Sequence, residues 1–224
     1  MAITTISFDM NGTLTQGRFV ELVWGEGIPT LYARSRGMTL EKAKEDVFRE
    51  YAKVGEERSE WYDIRYWFEL FGLGEDWVGL LKGFSSEVAP YPEAVGVLEA
   101  MRQEFELVVT SNASRDFLDI ELAAAGIDGY FSHLFSCTSD FGEVKKTPQV
   151  YARVCQALSI GPEEMAHVGD HPLFDFAAPS ELGIRAFYLD RNAGNDGDFV
   201  VHDLKEFMAR VRRVQRSSAT SEVA

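Results

Sequence analysis

The chain has 224 residues, of which 46% are hydrophobic and 26% charged, and its formal net charge is −14. That length holds one large domain or a core with an inserted lobe, and that composition is ordinary for a globular protein. The acidic balance excludes a general binder of nucleic acid, whose phosphate backbone would be repelled, and no apolar run approaches the length of a membrane span.

The start, "MAITTISFDM", lacks the basic region and cleavage site of a signal peptide. Cys137 and Cys155 stand far apart in no metal-like spacing, so free thiols in a cytoplasmic protein are expected. The apolar, β-branched run Ile3–Asp9 predicts a first strand that ends on an aspartate. From about Gly17 to Ala89 the pattern turns helical. Leu40, Ala43, Val47, Tyr51 and Val54 recur at helical spacing, as do Trp61, Ile64, Phe68 and Phe71 before a stop at Gly72. Trp77, Leu80 and Leu81 suggest a third helix. Pro92 opens another, with Val95, Leu98 and Met101 as its apolar residues.

Strands are then expected over Phe105–Ser111, His133–Cys137, Met165–Asp170 and Ile184–Asp190. Helices separate them: one capped by Ser114 and carrying Phe117, Leu118 and Leu122 up to Gly126, another opened by Pro148 and carrying Tyr151, Val154 and Leu158. The basic stretch "ARVRRVQR" (Ala209–Arg216) reads as the end of a last helix, where cations suit the dipole. The tail Ser217–Ala224 has the composition of a frayed terminus.

Strands alternating with helices predict an α/β fold, a doubly wound, Rossmann-like parallel sheet covered on both faces. The helical run predicts an all-helical lobe over residues 17–89. The core would then comprise residues 1–16 and 90–216, and residues 217–224 a flexible tail. In such a sheet ligands bind outside the carboxyl ends of the strands, and three of the expected strands end there on polar residues: Asp9, Ser111 and Asp170.

Four segments carry those ends: "FDMNGTL" (Phe8–Leu14), "VVTSNAS" (Val108–Ser114), "KKTPQVY" (Lys145–Tyr151) and "HVGDHPLFD" (His167–Asp175). In order and spacing they resemble the motifs of the haloacid dehalogenase superfamily, in its phosphatase-like branch with a helical cap after the first strand. The resemblance spans nearly the whole chain, and it implies a hydrolase. Asp9 would attack phosphorus to form an aspartyl-phosphate. Gly12 would let the chain turn and bring backbone N–H groups to a bound anion. Asp170 and Asp175 offer hard oxygen ligands suited to Mg²⁺, which would bridge Asp9 and a phosphate oxygen; the backbone carbonyl of Asn11 would be a further ligand. Ser111, with backbone N–H groups near Asn112, would bind phosphoryl oxygens. Thr110, one residue earlier on the strand, is expected to face the other way as a packing residue. Counting back from Pro148 and Tyr151 assigns Lys145 as the lysine that neutralises Asp9, with Lys146 a solvated loop charge.

Asn11 departs from the pattern, because phosphatases of this family carry an acid/base aspartate there. Asn cannot transfer a proton, and such assistance is worth roughly 10²–10⁴-fold. Four readings fit: a slow or specialised phosphatase acting on a small phosphorylated metabolite, a 2-haloacid dehalogenase-like hydrolase, a substitution introduced to slow turnover, or a phosphate-ligand binding or regulatory protein. Retention of both Asp170 and Asp175 favours phosphate chemistry. A monomer or homodimer with no nucleic-acid or membrane partner is expected. In the helical lobe, Trp24, Tyr32, Trp61, Tyr62, Tyr66, Trp67 and Trp77 either stack on a substrate or pack the helices. Arg18, Arg34, Arg36, Arg58 and Arg65 either meet a second anionic group or form surface pairs.

Overall fold

Short β-branched runs, buried on both faces, build the centre of the molecule. The structure is a computed structural model that describes residues 2–221. β1 (Thr5–Phe8), β2 (Glu106–Ser111), β3 (His133–Ser136), β4 (Met165–Gly169), β5 (Arg185–Leu189) and β6 (Val200–Val201) form one sheet in the order β3-β2-β1-β4-β5-β6. All neighbours are parallel. The chain moves outward from β1 to β2 and β3, then returns to the other side of β1 for β4, β5 and β6. The reversal leaves a crevice at the carboxyl ends of β1, β2 and β4.

The helices follow in chain order: α1 (Arg18–Leu22), α2 (Ile28–Arg36), α3 (Leu40–Val54), α4 (Ile64–Phe71), α5 (Trp77–Gly83), α6 (Ala94–Met101), α7 (Arg115–Ala125), α8 (Cys137–Phe141), α9 (Pro148–Leu158), α10 (Ala178–Leu182) and α11 (Leu204–Ser221). A π-helical turn, Val23–Gly27, joins α1 to α2. Among the described residues, no helix is long and apolar enough to cross a membrane.

Period-two alternation along β1 sends Ile6 and Phe8 to a core shared with α6, α7 and α11. Phe8 and Phe187 both meet Phe207 of α11 edge-on, with ring centroids 5.9 and 5.3 Å apart. The opposite face is covered by α9 and α10, through Tyr151, Val154 and Ala178 against Val108 and Met165. A third apolar cluster lies in the segment α1–α5, around Phe19, Val47, Ile64, Trp67 and Phe71, and takes in Phe117 of α7. The chain leaves and rejoins the sheet at adjacent points: the Gln16 N–H donates to Ala89 O and the Tyr91 N–H to Leu14 O, each at 2.9 Å.

The expected strands and principal helices are present, with local differences. α6 begins at Ala94, so its buried stripe is Ala94, Val97, Leu98 and Met101, and Val95 is exposed. β3 ends at Ser136, whose side chain accepts the Ser139 N–H and starts α8 at Cys137. β6 and α8 are additional elements. α11 continues as backbone helix to Ser221, beyond the expected onset of fraying at Ser217; residues 222–224 of that tail lie outside the described residues. On α11, Arg210 pairs with Glu206 of the same helix, and Arg212 with Glu104 just before β2.

Candidate active site

β1 sets the position of Asp9. Phe8 pairs with Val109 on one side and Val168 on the other, and the Asp9 N–H donates to Val168 O at 2.9 Å. The next residue of β1's path therefore emerges at the crevice, beside the ends of β2 and β4. The turn that follows requires a glycine. Gly12 has φ +80°, and a Cβ there would lie 2.0 Å from Asp170 Oδ2. Gly169 serves the same end, since its Cβ would sit 2.3 Å from Asp175 Cγ. Arg191, just after β5, fixes the turn from behind. It donates to Gly12 O (3.0 Å) and Thr13 O (2.7 Å), pairs with Glu93 at 2.8 Å and lies on the Tyr91 ring.

Asp9, Asp170 and Asp175 each offer a carboxylate oxygen, all within 4.8 Å of one another. The lysine among them is Lys146, whose ammonium pairs with both Asp9 and Asp175 and donates to Thr110 O at 3.3 Å. Lys145 does not reach Asp9; it pairs with Glu57, and its ammonium is 5.4 Å from the Phe174 ring centre. The assignment of Lys145 is thus corrected to its neighbour. Consecutive residues of this loop point in different directions, and the Lys146 N–H donates to Asn112 Oδ1 at 2.9 Å, which turns its side chain inward.

Burial sets the charge states. It pushes the Asp9 carboxyl up to about 8; Lys146 opposes the rise, and Asp175 and Asp170 add to it. Asp170 is raised too, first by burial and then by Asp175. Burial also acts against ionised Asp175, but Lys146 and His167 outweigh it and hold that carboxyl below the usual range. The Asp175 and Asp9 carboxylates likewise hold Lys146 above the ordinary lysine value despite burial. With all three carboxylates ionised, one ammonium leaves two negative charges uncompensated. Oxygen donors in that number and spacing, with that excess charge, fit a hard divalent cation. Both Asp175 oxygens already accept hydrogen bonds, Oδ1 from Lys146 and His167 (3.0 Å for the latter), Oδ2 from the His171 N–H at 3.1 Å.

Behind this cluster runs a buried polar chain. The hydroxyls of Ser7 and Thr110 lie 2.9 Å apart, and Ser7 Oγ is 2.8 Å from His167 Nδ1. Thr110 is fully buried, as its packing role predicts, and its hydroxyl and carbonyl also belong to this network. Burial lowers the His167 pKa, opposed by its contact with Asp175.

Ser111 and Asn112 line the crevice. Ser111 Oγ accepts the Ala113 N–H at 3.2 Å, and the Asn112 carboxamide holds the lysine loop. Asn11 also lines it, and its Nδ2 donates to Glu121 Oε2 at 3.3 Å. Glu121, on α7, is fully buried and was not anticipated. Burial raises its carboxyl to about 7, opposed by hydrogen bonds from Thr15, at 2.5 Å, and Asn11. A signal for it exists: Glu121 stands three residues after Leu118 and four after Phe117, on the stripe that faces inward.

Asp9, Asn11, Ser111, Lys146, Asp170 and Asp175 open into one cavity of about 610 Å³. Of the aromatic residues considered in the helical segment, Trp24, Trp61 and Tyr62 line it; none of the five candidate arginines does. Arg65 pairs with Asp116 and Arg58 with Glu60.

The profile of haloacid dehalogenase-like hydrolases matches residues 3–183. The GMP/IMP nucleotidase YrfG of Escherichia coli strain K12 is 26% identical over 185 residues, covering 82% of this chain and 81% of that protein. A HAD phosphatase from Thermococcus onnurineus superposes with a TM-score of 0.77 at 23% identity, over 92% of this chain and 97% of that one. A 2-haloacid dehalogenase from Pseudomonas syringae pv. Tomato DC3000 superposes at 0.68 and 21% identity, over 94% and 99%. At those identities the two solved structures speak for the fold.

Proposed function

We propose that this chain, which belongs to the haloacid dehalogenase-like hydrolase family, is a Mg²⁺-dependent phosphatase of small phosphorylated metabolites working through an aspartyl-phosphate on Asp9. The observation that carries this reading is the cluster of three carboxylates within 4.8 Å, served by a single ammonium. Burial opposes ionisation of Asp9 and Asp170, and a bound cation would favour the ionised Asp9 that attacks and would neutralise an approaching phosphoryl group. Asp9, Asp170 and the Asn11 carbonyl would hold Mg²⁺, with Asp175 direct or through water. When bound, the ion would orient a phosphate oxygen and neutralise charge.

The chain's own residues supply the rest. An Asp9 oxygen attacks phosphorus, and the bond to the leaving oxygen breaks with its electron pair on that oxygen. Lys146 compensates negative charge on Asp9, while Ser111 and nearby backbone N–H groups receive phosphoryl oxygens. Water then attacks phosphorus, the bond to Asp9 breaks with its electron pair returning to the carboxylate oxygen, and phosphate leaves carrying the water oxygen, the released proton passing to phosphate or solvent. Asn11 holds no transferable proton, so the leaving oxygen departs as an anion or takes a proton from water. Residues 17–89 would act as a cap over residues 1–16 and 90–216; their own apolar cluster and the adjacent crossing points support that division. The nucleotidase relative supports a phosphomonoester substrate.

Asn11 favours a second reading, halide displacement, which needs no proton donor. Phosphate release with Mg²⁺, measured for the parent and for Asn11→Asp, separates the two. The new carboxyl would meet Glu121, which keeps a proton close to neutral pH, so a proton donor would stand near the leaving oxygen. Alkyl phosphates should gain roughly 10²–10⁴-fold and p-nitrophenyl phosphate less. If attack outpaces hydrolysis in the parent, intact mass will show phosphorylated Asp9. Chloride release from a 2-chloro acid with no phosphate release from either protein would overturn the phosphatase reading.

A further inference from the structure

The catalytic groups occupy the floor of the cavity, and its remaining wall bears on which phosphate monoester could fit. That wall is aromatic and acidic. Trp24 and Phe117 form a stacked pair, with centroids 5.2 Å apart and planes at 18°. Phe174 stacks on His171 at 4.1 Å and 20°. Trp61 and Tyr62, both half-buried, add two more rings. Glu21 and Glu56 are the acids above the floor; both are exposed, and neither forms an ion pair among the described residues.

Positive charge is scarce on this wall. Among the described residues no arginine lines the cavity, and its lysines are Lys145 and Lys146. Lys146 is buried between Asp9 and Asp175, and Lys145 is ion-paired with the exposed Glu57. A carboxylate or second phosphate on the organic part of a substrate would find Glu21 and Glu56 and, among the described lining residues, no lysine or arginine without a carboxylate partner. Its desolvation would go uncompensated. A flat ring meets the reverse situation: several aromatic faces at the wall, and carboxylates that accept hydrogen bonds from ring N–H or amino groups.

We infer that the substrate is a phosphate monoester whose organic part is a flat ring system bearing no negative charge of its own, held by the Trp24, Trp61 and Phe174 wall beside Glu56. This rests on the phosphatase reading and narrows it. It disfavours bisphosphates, phosphorylated carboxylic acids and 2-halo acids alike.

The test measures binding, so that turnover does not confound it. In the Mg²⁺-loaded Asp9→Asn protein, isothermal titration compares guanosine 5′-monophosphate, phenyl phosphate and phosphoglycolate. Both ring phosphates should bind at least roughly tenfold more tightly than phosphoglycolate, the scale of one base–aromatic stacking contact. Adding Trp61→Ala should weaken guanosine monophosphate by a similar factor and leave phosphoglycolate unchanged. Adding Glu56→Lys, an exposed change that spares the fold, should tighten phosphoglycolate. Phosphoglycolate binding as tightly as the ring phosphates, or an equal loss of all ligands in Trp61→Ala, would overturn the inference. Phosphate release by the active parent would then show that the phosphatase reading survives. If none of the three ligands binds, the inference falls, and phosphate release by the active parent decides separately whether the phosphatase reading stands.

Discussion

Adjacent lysines in unlike surroundings make a direct experiment: replace each with Met and compare. Lys146 is 2% exposed, between the carboxylates of Asp9 and Asp175, which are 9% and 1% exposed at their side chains. Its removal leaves two buried acids without their counterion. Breaking a buried pair in this way costs about 3–5 kcal/mol. For a chain of this size that is roughly a 6–20 °C fall in Tm. The partner of Lys145, Glu57, is 78% exposed, so Lys145→Met should cost less than about 1 kcal/mol. Urea unfolding of both variants at pH 7 in EDTA measures the difference. Mg²⁺ should return part of the stability lost in Lys146→Met, because a divalent cation restores positive charge beside the same carboxylates. Phosphate release should fall by roughly 10²–10³-fold in Lys146→Met, the scale of losing one preorganised charge donor. Equal unfolding midpoints for the two variants, or the larger loss in Lys145→Met, would refute the assignment of the inward lysine.

Asp170→Ala should abolish the rise in Tm that Mg²⁺ gives the parent, since it removes the most accessible oxygen ligand of the cluster; equal shifts in the two proteins would count against a cation there. Glu121 supplies a pH signature. Its folded value, about 7, lies above its ordinary 4.5, so the folded state keeps a proton that the unfolded chain releases. The associated stability is complete below about pH 4.5 and is lost as pH rises through 7. The difference corresponds to roughly 3 kcal/mol, and Glu121→Gln should remove that much of the decline in metal-free unfolding free energy between pH 4.5 and 8. Parallel pH profiles for parent and variant would show that Glu121 is ionised throughout.

What the sequence discloses is what local pattern encodes. The strands that carry Asp9, Ser111 and Asp170 are short apolar runs ending on polar residues, and the parallel alternation places those ends together with no further information. The inward lysine is a different kind of fact. It depends on Asn112 Oδ1 meeting the Lys146 N–H and on Asp9, far away in sequence, meeting the side chain. Counting within a loop has no period to follow, so it selects the wrong neighbour. Glu121 lay within reach of helical periodicity but is obscured by its charge, because acids at helix positions are ordinarily solvated. β6 has only two residues and exists through its pairing with β5, Tyr188 to Val200 and Leu189 to Val201, which no local propensity announces.

The helical segment adheres to the sheet side through two unlike kinds of contact. Near α7 it is held by rings, with Phe117 against Phe19 at 5.8 Å and against Trp24. It is held as well by exposed ion pairs, Arg65 with Asp116 on α7 itself and Lys145 with Glu57. Salt screens the second kind and barely touches the first, since the Debye length shrinks to about 3 Å at 1 M ionic strength. Raising ionic strength should therefore weaken the ion pairs while the ring contacts around Phe117 keep the segment seated. Passage of ligands into and out of the cavity then acquires a salt dependence of its own, one that a neutral ring ligand would report without any change in its own electrostatic attraction to the site.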